Sequence, residues 1–423
     1  MRSSWMRDMS GLSEDEMANI ALQDHSFEAL LGIREQQKLV DNLIKLKGSF
    51  LFTMIQSKAG ESEFSGFLNS VLKENQFRVL AFASLDRMIN KEFGIAITPF
   101  MDNWFKDKRL PGFLISPIIA VNTKSEDQIR TMVSFSSSNT SDADGVIKLT
   151  FRMGGFGGGR GRMRMGGNPD DNINKILFLK AGETKKASYL FDSEPRGLTI
   201  NTLTSKNIPQ TLAQFFSKVE EDLKAVPVEG EFVSDKPVSL LLPNEIVIDN
   251  EDPDFSYTVT DKTSLLYKLI IKKEETGLKY SGFNNWRPPL NWTNTTNTGF
   301  YGLYVRSAYY LKSGTGDQTA TWTLPVKEAG HYDVFTYIYP MGARGGFRMG
   351  GPGRGGEEEK GEYHYFITHD DGVTEQTLQI ETAEQGWNSL GSFYFSPGSA
   401  KIMLTNKSAR KTVIADAIKV VKN

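Results

Sequence analysis

The spacing of apolar residues changes character along this chain. Between residues 27 and 56 they fall at Leu30, Leu31, Leu39, Val40, Leu43, Leu46, Phe50, Leu51, Met54 and Ile55, the interval of one helical face. Ser13-Glu14-Asp15-Glu16 has the form of a capping box that starts a helix, and Gly60 is placed to close the long one. Phe64, Phe67, Leu68, Val71 and Leu72 form the next apolar stripe. Ser84 is placed to cap a third helix bearing Leu85, Met88, Ile89 and Phe93. Thr98-Pro99 reads as a cap followed by proline at the first helical position, ahead of Phe100, Trp104 and Phe105. The pattern predicts antiparallel helices up to about residue 115.

Beyond that point the period falls to two. Residues 115–121, 128–135, 145–151, 175–179, 187–191 and 198–203 read as strands between Asn, Ser, Asp and Gly turns. Residues 209–225 return to helical spacing, with Leu212, Phe215, Phe216, Val219 and Leu223 on one face and Glu220, Glu221 and Lys224 on the other. They predict a strut or linker helix. From residue 302 the alternation is clearest: Thr319, Thr321 and Thr323 interleave with Ala320, Trp322 and Leu324. It continues from Tyr332 and Val334, then through 363–368, 376–381, 392–395 and 401–405. Ser313-Gly314-Thr315-Gly316, Glu328-Ala329-Gly330, His369-Asp370-Asp371-Gly372 and Ser396-Pro397-Gly398 supply the turns. Many short, evenly spaced strands predict a sandwich or jelly roll. The expected fold class is therefore α+β and multidomain: a helical region (1–115), an antiparallel β-sandwich (116–235) and a second, jelly-roll-like one (236–423).

The last segment resembles the golvesin-type C-terminal domain, also described as the carbohydrate-binding-like domain of bacterial xanthan lyases. The residues that carry the likeness are Ile248-Asp249-Asn250 with Phe255, Tyr301-Gly302, Ala320-Thr321-Trp322, and Ala329-Gly330-His331-Tyr332-Asp333-Val334. They continue with Trp387-Asn388-Ser389-Leu390-Gly391 and Ile414-Ala415-Asp416-Ala417-Ile418. The resemblance implies a module that binds a protein partner or a glycan.

Composition narrows the function classes. A net charge of -2 provides no global field for nucleic acid or anionic membrane. The absence of cysteine excludes disulfides, thiolate zinc sites and a cysteine nucleophile. No apolar run has the length of a signal-peptide core or a bilayer span, so no export signal or transmembrane segment is expected within these residues.

A second likeness concerns residues 25–115. Lys47-Gly48-Ser49-Phe50, Glu63-Phe64, Phe67-Leu68, Leu85-Asp86, Phe100-Met101-Asp102-Asn103-Trp104-Phe105 and Leu110-Pro111-Gly112-Phe113 occur in one order. That order looks like the second half of the catalytic domain of zinc-dependent membrane alanyl aminopeptidases. Such enzymes hold zinc with H-E-x-x-H, whose two His lie one turn apart on one helical face. The four His here, His25, His331, His364 and His369, form no such motif. The family's transition-state tyrosine would fall at Lys45. The resemblance thus implies a chain without the zinc ligands, the general base or the phenol, with zinc expected only if a peptidase half lies upstream or on another chain.

Other features have competing readings. Two glycine-rich inserts share the word Phe-Arg-Met-Gly-Gly, beginning at Phe151 and Phe347. They read as solvated hairpin tips, as Arg-Gly patches for a polyanion, or as loops that order each other through Arg and Glu357-Glu358-Glu359. No stacking aromatics interleave them, so no nucleic-acid partner is expected. Asp249, Asp252 and Asp254 form either a turn or a calcium site. Trp286, Trp292, Tyr301 and Tyr304 are the candidate ligand platform. Trp286 and Trp292 lie in a Pro/Asn/Thr-rich loop, whereas Trp322 and Trp387 read as core. Asp416 reads as a residue that ties down a loop.

The expectation is a non-catalytic binding or assembly protein related to exported bacterial aminopeptidases, binding a protein partner or a cell-surface glycan through its C-terminal sandwich. By that resemblance it would be extracytoplasmic. The alternatives are the C-terminal portion of an active zinc aminopeptidase, and an accessory module of a polysaccharide lyase.

Overall fold

The computed structural model describes residues 12–125, 128–153, 172–259, 278–285, 287–339, 361–398 and 400–423. The two glycine-rich inserts beyond Met153 and Tyr339, and Trp286, lie outside these residues. The chain divides into two compact units, with Glu14–Leu240 in one and Leu241–Asn423 in the other.

The first unit opens with six helices: α1 (Glu14–Asp24), α2 (Phe27–Gly32), α3 (Val40–Ala59), α4 (Glu61–Glu74), α5 (Phe82–Phe93) and α6 (Thr98–Lys106). The stripe expected as one helix from residue 27 is interrupted. Ile33 is extended at φ -91°, ψ 111°, and Arg34–Leu39 is a 3-10 turn before α3 begins. Gly32 weakens the helix at that point, because glycine costs about 1 kcal/mol relative to alanine in a helix interior. Leu30, Leu43 and Leu46 stay buried on both sides of the break. Gly60 ends α3 as expected, at φ 94°.

Two expected caps are replaced. Ala81, not Ser84, is the N-cap of α5, and Ser84 sits inside the first turn. Thr98 does not cap α6. Instead the Asp86 carboxylate, reaching over from α5, accepts the amides of Ile97 (2.6 Å) and Thr98 (3.3 Å) and the Thr98 hydroxyl. One side chain thereby satisfies two backbone donors at the start of the next helix. The Thr98 hydroxyl, followed by the Ile97 amide, holds its carboxyl below the usual carboxylate range.

Ten strands follow: β1 (Phe113–Ile115), β2 (Ile119–Ser125), β3 (Gln128–Asn139), β4 (Gly145–Arg152), β5 (Ile173–Leu179), β6 (Thr184–Phe191), β7 (Gly197–Asn201), β8 (Thr211–Phe215), β9 (Glu220–Glu221) and β10 (Gly230–Val233). One sheet runs β10-β6-β3-β2-β9 with β1 also on β3, and a second runs β5-β4-β7-β8. Val133, Phe135, Ala187, Tyr189 and Phe191 from the first share one core with Ile147, Leu149, Phe151, Leu177, Leu198 and Ile200 from the second.

The helix expected over 209–225 is absent. Residues Thr211–Phe215 pair with Gly197–Asn201 as an edge strand, Ile200 opposite Leu212. An apolar helical face needs a surface to cover. Here Leu212 and Phe216 reach the sheet core individually while Phe215 and Leu223 stay exposed. Backbone pairing to the open edge of β7 outweighs the amphipathic pattern.

The second unit carries β11 (Glu245–Ile248), β12 (Phe255–Tyr257), β13 (Thr293–Thr296), β14 (Ser307–Lys312), β15 (Thr319–Thr323), β16 (Gly330–Ile338), β17 (Glu362–His369), β18 (Gly372–Gln379), β19 (Gly386–Phe395), β20 (Lys401–Thr405), β21 (Thr412–Ala415) and β22 (Ile418–Lys422). They form three antiparallel sheets, in the orders β11-β22-β16-β19, β12-β15-β20-β17-β18 and β13-β14-β21. The alternation read at 319–324 is realised, with Ala320, Trp322 and Leu324 buried between half-buried threonines. Trp322 is the largest fully buried side chain of this unit and packs among Val334, Tyr365, Ile402 and Ile418. No helix among the described residues is long and apolar enough to cross a membrane.

Trp322→Ala is expected to cost about 3–5 kcal/mol, the range for deleting a buried large aromatic. Val373→Ala, at a position 63% exposed, should change stability by less than about 0.5 kcal/mol. Chemical denaturation of both variants checks the contrast.

Candidate functional site

A two-residue crossing between β21 and β22, Asp416-Ala417, builds the site in the second unit. The Asp416 side chain is buried and accepts the Tyr301 amide at 3.1 and 3.3 Å, while its backbone carbonyl accepts Trp322 Nε1 at 3.3 Å. Next to it, Ala417 O accepts the Tyr337 amide at 2.9 Å. Asp416 therefore does tie down the loop ahead of β14. That loop turns at Gly302, φ 150°, where an added Cβ would stand 1.8 Å from Val305 O. Only glycine lets the chain double back there and set Tyr301 and Tyr304 along one wall.

The opposite wall is the turn after β11. Asp252 Oδ2 accepts the Asp249 amide at 2.8 Å, and Asp249 Oδ1 accepts the Asn250 amide at 2.7 Å. Leu241, Val247, Asp249, Glu251, Asp252, Tyr301, Leu303, Tyr304 and Val305 together enclose a pocket of about 230 Å³. Its lining combines aromatic and aliphatic side chains with three acidic ones.

The carboxylates differ in state. Burial, reinforced by Asp252 and Glu251, pushes the Asp249 carboxyl well above its ordinary range. Burial does the same to Asp416, with Asp249 adding to it. Burial also acts to raise Glu251, but hydrogen bonds from Lys279 and Ser307 more than offset it and hold that group ionised. Glu251 is a structural anchor, accepting Ser307 Oγ at 2.7 Å, Asn294 Nδ2 at 3.2 Å and the Tyr280 hydroxyl at 3.2 Å. The Tyr301 phenol is raised by burial and then by Asp249 and Asp252, so it stays a neutral hydroxyl donor.

An aromatic cluster continues from the pocket. Tyr301 lies 5.6 Å from Tyr337 and 5.1 Å from Trp387, centroid to centroid. Lys419 Nζ stands 5.0 Å from the Trp387 centroid and pairs with Glu245 at 3.0 Å.

The structure brings Tyr301 and Tyr304 together and separates them from Trp292. Trp292 is only 6% exposed and belongs to the core with Ile248 and Trp322, so the platform reading of that residue is corrected. Its ring is needed to fill the core, and polar loop neighbours in sequence gave no sign of that. Trp387, expected in the core, is half-buried beside the pocket. Tyr310 is core, and Tyr309 packs between Phe255 and Tyr257. Asp249 and Asp252 line the pocket, whereas Asp254 lies exposed on the turn. Among the described residues, no group of three or more His, Cys, Asp or Glu is gathered as a metal would require. His364 and His369 pair with Glu375 (2.8 Å) and Thr374 (2.7 Å) on the β17–β18 ribbon. Lys45, where the aminopeptidase likeness requires a phenol, pairs with Asp15 at 3.2 Å.

Residues 351–422 match the Golvesin C-terminal domain, and this segment includes Trp387 and Asp416. That segment of the chain is thus similar to the golvesin type. The match lies wholly in the second unit and does not bear on the aminopeptidase resemblance of residues 25–115. No curated protein sequence matches the chain. Among solved structures, a Paenibacillus xanthan lyase aligns at 16% identity and TM-score 0.28, covering 74% of this chain and 26% of that one. Bacteroides uniformis beta-glucuronidase 2, as a calcium-binding mutant, aligns at 11% and 0.19, covering 76% and 31%. A Paenibacillus cycloisomaltooligosaccharide glucanotransferase aligns at 8% and 0.20, covering 73% and 72%. This chain thus spans about a quarter of the xanthan lyase's length, and TM-scores of this size do not establish a common fold.

Asp416→Asn keeps an acceptor for the Tyr301 amide and removes the titration. The folded-state carboxyl is raised, so the wild type is most stable relative to this variant below the unfolded value near 3.9. That advantage should be lost as pH rises toward the raised folded value, by at most about 1.4 kcal/mol per pH unit. Paired thermal melts from acid to neutral pH check it. A difference that stays flat with pH would show that Asp416 does not carry the proton.

Proposed function

We propose that this chain is a non-catalytic binding protein whose second unit holds a glycan at the Tyr301–Tyr304 pocket. One observation carries the reading: two tyrosines and the carboxyl groups of Asp249 and Asp252 line one cavity that adjoins Trp387 of the golvesin-like segment. Sugar rings present C–H faces to aromatic rings and hydroxyl donors to carboxylate acceptors, and this pocket offers both. The carbohydrate-binding-like character that the golvesin resemblance implies points the same way, and on the same resemblance the chain would be extracytoplasmic. On this reading the two sheets of the first unit and the two larger sheets of the second are β-sandwiches. The helices from Glu14 to Lys106 support the first of them rather than contributing chemistry.

The test is retention of the full chain on immobilised neutral and acidic bacterial polysaccharides, followed by calorimetry with the oligosaccharides of any that bind. Tyr304→Ala should weaken binding at least about tenfold, the scale of one lost aromatic contact with its hydrogen bond. Trp292→Phe, a conservative core change, should leave affinity unchanged. Equal binding by wild type and Tyr304→Ala would overturn the assignment, as would no retention on any polysaccharide.

A further inference from the structure

The first unit holds a second cavity, larger than the first and different in chemistry. It has a volume of about 420 Å³ and lies among α3, the segment from α5 into α6, and the loops at 107–111 and 142–144. That volume falls within the range of roughly 300–1,000 Å³ that small-molecule sites occupy. Phe50, Leu51, Met54, Ile97, Phe100 and Trp104 are the large apolar side chains of its α3 and α6 sides.

Lys47 lines this cleft from α3 and is only 6% exposed. Its backbone carbonyl takes Trp104 Nε1 at 3.0 Å, which fixes α6 against α3. Its ammonium stands 5.4 Å from the centroid of the same indole. Among the described residues no hydrogen bond or ion pair reaches that nitrogen. The nearby carboxylate, Asp107, is engaged elsewhere: Arg109 grips it through Nε at 2.9 Å and Nη2 at 2.6 Å. The remaining charged groups on the cleft are Lys58, Arg109, Asp142 and Asp144. Lys58 lies over the rings of Phe100 and Phe178 at 5.7 Å, and Arg109 also reaches Asp142 at 3.9 Å. With Lys47, Lys58 and Arg109 set against Asp107, Asp142 and Asp144, the cleft is balanced in formal charge.

A buried ammonium without a contacting anion is costly to keep. Burial lowers the Lys47 pKa to about 8, with Asp107 acting against the shift. A cleft lined by large apolar side chains, with one buried ammonium that no acceptor among the described residues contacts, is complementary to a ligand with an apolar body and one negative head. The Asp142 and Asp144 carboxylates on the same cleft disfavour a dianion. We propose that this cleft is a binding site for a small monocarboxylate with an apolar body, its carboxylate seated on the Lys47 ammonium and its body against Trp104, Phe50 and Phe100.

The test uses octanoate as the probe with the full chain, and octanol and octylamine as matched controls, by calorimetry at pH 7. Octanoate should bind at least about tenfold more tightly than octanol, the scale of one charged hydrogen bond, and octylamine should bind more weakly still. Lys47→Met fills the same volume without charge and should fold at least as well as wild type, but its preference for octanoate over octanol should vanish. Bound carboxylate raises the lysine pKa, so octanoate affinity should fall about tenfold per pH unit above pH 8 in the wild type. Lys47→Arg should bind octanoate with no such loss up to pH 10. Equal affinity for octanoate and octanol would overturn the proposal. So would octanoate binding that survives Lys47→Met, or no binding at concentrations up to about 10 mM.

Discussion

The second unit depends on the hydrogen bonds of one buried carboxylate and its backbone. Asp416 lies where the chain leaves the three-stranded sheet at β21 and enters the four-stranded sheet at β22. Its carbonyl is held by Trp322, which stands on β15 of the five-stranded sheet. Its carboxylate is held by the Tyr301 amide. A single residue therefore links all three sheets and fixes the loop that lines the pocket. Replacing it by an apolar residue of similar size would leave the Tyr301 amide and its neighbours to find other partners, and an unmade buried hydrogen bond costs more than a made one contributes. The carboxyl tolerates this position because its raised pKa lets it shed the charge that burial penalises.

That constraint accounts for the layout of the pocket. Tyr301 is pinned through its backbone and packed by Tyr337 and Trp387 through its ring. Gly302 then turns the chain so that Tyr304 follows along the same wall. Across the cavity, Glu251 is fastened by donors from β13, β14 and the segment before them. The walls are thus set by hydrogen bonds within the fold, including those that the Asp249 and Asp252 carboxylates accept from the turn after β11, so the pocket is ordered before a ligand arrives and the ordering cost of binding is low.

What the residues alone conveyed follows from how local each signal is. Strands β15 through β20 were readable because alternation within a strand reports its own two faces. The helix predicted over 209–225 failed because an amphipathic pattern says nothing about an open sheet edge contributed by residues 197–201, and pairing to that edge decided the outcome. Asp86 capping the following helix was equally invisible, since a cap supplied from eleven residues away mimics no capping box. In the pocket, Tyr301 was legible through the Tyr-Gly word and Tyr304 through proximity to it. Trp292 was misread because the polarity of its neighbours reports the loop and not the core that the indole enters. Lys47 drew no attention as a candidate at all. A lysine between Leu46 and Gly48 reads as one more solvated charge, and only the packing of Trp104, 57 residues later, buries it.

Lys47 and Asp416 are both ionisable groups taken out of water, but they relieve the cost in opposite ways. Asp416 has hydrogen-bond donors placed on its oxygens and raises its pKa, so its polar capacity is spent within the fold. Lys47 lowers its pKa and gains one indole face, yet among the described residues no oxygen accepts from its ammonium. A core position that only needed to pack against Trp104 would be served as well by methionine or leucine, without the desolvation cost. The ammonium is therefore better explained by something outside the fold. The walls leave room for it in the 420 Å³ chamber that the same lysine faces.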